Sequence, residues 1–139
     1  MIQPTVDYLA VLAAAAGAWI AGAVWYGVLG KFWLAALGKT KAELMGPGGK
    51  PQPGPFILSF VADLVIAFVL AGVVGAVGAG KVNVLTGVVT AALLWLGFVV
   101  TTLAVNNAFS GRKTTLTVID AGQWLFALAV AGAIIGAFG

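Results

Sequence analysis

At 139 residues, with 62% hydrophobic and only 8% charged side chains, a net charge of +3 and a mean hydropathy of +1.12, the chain lacks the polar surface of a soluble domain, where roughly a quarter of residues are charged. It contains no cysteine and no histidine, which excludes disulfides, thiolate metal sites, cysteine or histidine catalysis and histidine-ligated haem. The basic residues fall in short loops and no segment is large enough to present a nucleic-acid surface, so no nucleic acid, metal or cofactor is expected.

The apolar residues form four runs of the roughly 20 residues that a helix needs to cross a bilayer. Residues 1–7 bring no basic segment before the first run, so that run is expected to remain as a span rather than leave as a signal peptide. The first span, 8–29, is rich in small residues, and Gly22 is one position where a second helix backbone is expected to approach closely. It ends in WYGVLGKFW, where Trp25 and Tyr26 with Lys31 read as an interfacial belt or, alternatively, as a surface on which a ligand stacks. Residues 30–54 are the longest stretch between spans. Thr40 and Glu43 have capping-box spacing for a one-turn helix, and GPGGKPQPGP follows as a loop.

The second span, 56–77, begins just after Pro55, which suits a first helical turn. Asp63 lies about 12 Å along its axis at 1.5 Å per residue, with Ser59 one turn earlier on the same face. Read at 3.6 residues per turn, the third span, 84–106, carries one stripe of Thr86, Thr90, Gly97 and Thr101 and another of Trp95, Thr102 and Asn106. Asn107 follows, then a turn with Arg112 and Lys113. The fourth span, 117–138, opens with Asp120, Gln123 and Trp124 and ends with Gly132-x-x-x-Gly136, a spacing that marks helix packing.

Six basic residues, Lys31, Lys39, Lys41, Lys50, Arg112 and Lys113, occupy the loops after spans one and three, against Lys81 alone in the loop after span two. The bias predicts that both basic loops face the cytoplasm and both termini face out. In that orientation Trp25, Tyr26, Ser59, Asp63, Thr101, Thr102, Asn106, Asp120 and Gln123 all fall in the cytoplasmic half, as a candidate intramembrane polar cluster. The expected architecture is an all-α, integral membrane four-helix bundle of one domain.

WYGVLGKFW, together with LLWLGFVVTTLAVNNAFSGRKTTLTVIDAGQWLFALAVAGAIIGAF across spans three and four, resembles domain of unknown function family 1761, a family of small bacterial four-span membrane proteins. The resemblance covers nearly the whole chain. It implies the four-span fold and a bacterial inner-membrane location, and it implies no catalytic residue.

Two roles are open for each acid. Asp120 follows Thr117 at capping-box spacing and reads as a first-turn helix cap, or as a hydrogen-bonding or cation-binding group beside Gln123. Asp63 lies too deep for a cap, and an isolated charge is costly there. Its expected partners are Asn106 or Thr102, or Lys31 or Arg112 reaching in, and otherwise it handles protons or cations. The chain is therefore expected to be a structural or accessory bundle, without enzymatic activity, that packs in a homo-oligomer or with other membrane subunits. The alternative is a small proton- or cation-coupled transporter that uses Asp63.

Overall fold

The computed structural model describes residues 7–78 and 80–139, so most of the expected outer tail and Ala79 of the turn after span two lie outside the described residues. Four helices long and apolar enough to cross a membrane account for most of the chain: α1 (Tyr8–Leu37), α3 (Pro53–Gly78), α4 (Val84–Phe109) and α5 (Thr114–Phe138). A single-turn helix, α2 (Lys41–Leu44), lies between the first two. Among the described residues there is no strand, only an isolated antiparallel bridge between Met45 and Pro51.

The helix ends follow local chemistry. Asp7 Oδ1 accepts the Leu9 and Ala10 amides at 3.0 and 3.4 Å and starts α1. The helix then outruns its expected span and stops at Gly38, whose left-handed φ of 74° lets its own amide and that of Lys39 turn back onto Leu34 O. Thr40 and Glu43 form the reciprocal capping box that starts α2. Asn83 and Thr86 form another at the start of α4, which accounts for a hydroxyl at that end of the bundle.

α5 is the central helix. It packs along α1 on one side and α4 on the other, while α3 leans on α1 and touches α4 and α5 only slightly. Rings mark the α1–α3 register: Tyr8 stacks on Phe68 at 6.4 Å and Trp19 meets Phe60 edge-on at 5.6 Å. No helix opposes an apolar face to a charged one. Sidedness lies in size: Ala14, Ala15, Ala18, Ala67, Ala91, Ala127 and Ala131 are buried, while Leu12, Ile20, Val65, Phe98 and Val118 point outward. In lipid no hydrophobic force sorts leucine inward, and small residues let backbones approach.

The α4–α5 contact carries this furthest. A Cβ at Gly132 would collide with the Gly87 carbonyl oxygen, one at Gly87 with the Gly132 carbonyl oxygen, and one at Gly136 with the Asn83 carbonyl oxygen. Only glycine fits at those three positions without parting the helices. Between Trp95 and Val100 the same α4 loosens into a π-helical turn, which holds an extra residue and rotates everything beyond it.

Candidate functional site

The turn Ile119–Gln123 of α5 is gripped from both sides near the end of the bundle that carries the basic loops. From α1, Trp25 Nε1 donates to Ile119 O at 3.0 Å; from α4, Trp95 Nε1 donates to Ala121 O at 2.8 Å. A helical carbonyl has a second lone pair, so both indoles bond to a helix whose own ladder stays intact. Trp25 lies flush against Gly122, where a Cβ would come within 2.7 Å of Cζ2, so the missing side chain makes room for the ring. Tyr26 Oη donates to Asp120 Oδ1 at 2.6 Å, and its ring meets Trp33 edge-on at 5.5 Å. Gln123 is 8% exposed, and its Nε2 lies over Gly22, where a Cβ would approach to 3.1 Å. Leu116, Ile119 and Ala36 are buried beside Trp25, Tyr26 and Trp33 and close that end.

Asp120 is not a cap. α5 starts at Thr114, a turn earlier than the expected span, so Asp120 falls in its second turn and its carboxylate is taken by Tyr26. Thr117, the other half of the expected box, instead accepts a hydrogen bond from Asn107 Nδ2 at 3.0 Å. The inward asparagine of α4 is thus Asn107, 8% exposed, and Asn106 points outward. The reason is the π turn: a stripe read at 3.6 residues per turn through it comes out one residue early.

The remaining polar residues do not converge with this turn. Thr101 Oγ1 donates to Gly97 O at 3.1 Å, and Thr102 Oγ1 to Phe98 O at 2.6 Å and Val99 O at 3.0 Å, so both hydroxyls serve carbonyls of the π turn in their own helix. Ser59 accepts from Trp19 Nε1 at 3.0 Å and donates to Phe56 O at 2.8 Å, binding α1 to α3. Asp63 is 4% exposed on the buried stripe of Ala67, Leu70, Ala71 and Val74. Among the described residues no hydrogen-bond donor or cation reaches its carboxyl, so none of Asn106, Thr102, Lys31 or Arg112 is its partner. The polar residues therefore divide into separate interhelical pairs, two hydroxyls bonded within α4, an outward Asn106 and one isolated acid, and they do not form one cluster.

A groove of about 650 Å³ opens where α3 and α4 part. Val69, Val73, Phe98, Val99, Trp124 and Leu128 help to line it, Thr102 supplies its one hydroxyl, and Asp63 is not on its wall. Among the described residues no three acidic side chains gather as a metal site. Sequence reasoning missed Trp19, Trp95, Gly87 and Gly122 as contact residues. The signal for Gly122 lay in the run IDAGQW, where a glycine separates the acid from the amide; Gly87 carried none, because its partner Gly132 is remote in sequence.

No curated protein matches the chain, and no solved structure matches it. The family described as "Protein of unknown function (DUF1761)" matches residues 9–136. With nearly its whole length matched, this four-helix membrane protein belongs to the DUF1761 family.

Proposed function

We propose that the protein is a non-catalytic structural bundle of the bacterial inner membrane that self-associates through the seam between α3 and α4. One observation carries the reading: the polar side chains are engaged in fastening helices, Trp25 and Trp95 to α5 backbone, Tyr26 to Asp120 and Asn107 to Thr117. None of these six side chains lines the groove between α3 and α4, whose walls are apolar apart from the Thr102 hydroxyl. The open apolar groove between α3 and α4, walled by Val69, Val73, Phe98 and Leu128, is a face that a second copy can fill by close packing. Both basic loops face the cytoplasm, as the six-to-one distribution of Lys and Arg favours.

The test is native mass spectrometry from lipid nanodiscs. More than one copy per particle is expected, reverting to single copies in Val69→Trp, which fills the seam. Single copies of wild type at every protein-to-lipid ratio would overturn self-association. One observation favours a second reading, a proton- or cation-coupled transporter: Asp63 is buried with no bonding partner among the described residues. A protein that moves protons or cations would need such an acid to alternate between loaded and empty states.

A further inference from the structure

We infer that α4 has two packing registers: the one described above, with its π turn, and an all-α one in which the half beyond Trp95 is turned by one residue, exchanging Asn107 for Asn106 and Leu103 for Thr102.

Trp95 fixes the reference, since its indole is bonded to Ala121 O on α5. In an unbroken α-helix the residues returning to that face are Thr102 and Asn106. The extra residue held between Trp95 and Val100 shifts the return by one, so Leu103 and Asn107 occupy it instead. Annealing the π turn removes the shift and rotates the lower half by about 100°.

The sequence is doubled where that rotation acts. Thr101-Thr102 and Asn106-Asn107 are identical neighbours, so one step replaces threonine by threonine and asparagine by asparagine. Asn106 then inherits the bond to Thr117 Oγ1 that Asn107 makes in this structure. Thr102 Oγ1 already reaches two successive carbonyls of the loosened turn, at 2.6 and 3.0 Å, and can keep one as the turn tightens.

Little opposes the motion. Thr101, Thr102, Ala104, Val105 and Asn106 are exposed, whereas the glycine contact that locks α4 to α5 lies above the π turn at Gly87. Beyond Phe109 a turn with Gly111 at φ 70° takes up the 1.5 Å of slack per residue. The consequence falls on the seam. Thr102 and Leu103 line its lower end in the π register; Thr101 and Thr102 replace them in the α register, turning a leucine wall into a hydroxyl one. Helix register shifts of this kind take microseconds to milliseconds.

The experiment is NMR of the full chain in lipid nanodiscs with selective ¹⁵N-asparagine labelling, which reports Asn83, Asn106 and Asn107 alone. In Asn107→Ala the side-chain amide of Asn106 is expected to turn inward, its exchange with water slowing about tenfold or more. An Asn106 amide that exchanges in Asn107→Ala as fast as in wild type would overturn the two registers. Should Asn107→Ala not fold, relaxation dispersion at the wild-type Asn107 side chain decides: microsecond-to-millisecond exchange supports the slip and a flat profile refutes it. Deleting Val100 removes the extra residue, and this variant is expected to keep the Asn107 amide protected but without that exchange. An Asn107 amide exposed by the deletion counts against the proposal.

Discussion

Gly132→Ala strikes the contact that sets the spacing of α4 and α5. The added Cβ lands on the Gly87 carbonyl oxygen, 2.8 Å from its carbon and 3.0 Å from Ala91 Cβ. Two of these atoms are backbone, so no rotamer change relieves the clash. Reaching an ordinary carbon–carbon separation of about 3.5–4.0 Å moves the helices apart by roughly 1 Å. Overpacking of this kind costs about 1–3 kcal/mol, and alanine's better helix propensity returns up to about 1 kcal/mol, so the loss relative to a glycine-to-alanine change in open space is about 1–3 kcal/mol. Gly75→Ala is the matched control, because a Cβ there meets nothing within 4 Å and only the propensity gain remains. Thermal unfolding of both variants in one detergent, followed by tryptophan fluorescence, measures the difference. A Gly132→Ala protein that melts at or above Gly75→Ala would refute the backbone contact.

Tyr26→Phe and Asp120→Ala should each lower stability, with a double-mutant coupling of about 0.6–2 kcal/mol; purely additive losses would mean that the 2.6 Å bond contributes nothing. Trp95→Phe keeps the ring and loses the donor to Ala121 O, so it should lose about 0.6–2 kcal/mol in the same melt, and an unchanged melting point contradicts the clasp. In this cysteine-free chain Lys81→Cys should react with an impermeant thiol reagent on intact cells and Gln52→Cys should not; the reverse pattern inverts the orientation.

The fold was largely legible because its signals are local. Run length gives the four spans, Thr40-x-x-Glu43 gives α2, and the Gly132/Gly136 spacing gives a face small enough for backbone contact. The site was legible only in part. Trp25, Tyr26, Asp120, Gln123 and Gly22 do meet, yet a shared depth in four helices implied a single cluster, and depth says nothing about which way a side chain points. Asn106 was chosen over Asn107 because regular periodicity cannot register a π turn. Of the two roles open for Asp120, the cap suggested by Thr117-x-x-Asp120 spacing fails because the helix begins at Thr114, where no side chain caps it, and the hydrogen-bonding role holds, with Tyr26 as the partner.

The central claim is that polar side chains in this bundle hold helices together and do not line a path for a solute. Proton and monovalent-cation flux into liposomes, for wild type and Asp63→Asn alongside their thermal stability, tests it most directly. The account predicts wild-type flux no greater than that of protein-free liposomes at any pH, and an Asp63→Asn protein within about 1 kcal/mol of wild type, since the Asp63 carboxyl makes no bond with the described residues that the amide would lose. A pH-dependent wild-type flux that disappears in a stably folded Asp63→Asn protein would contradict it.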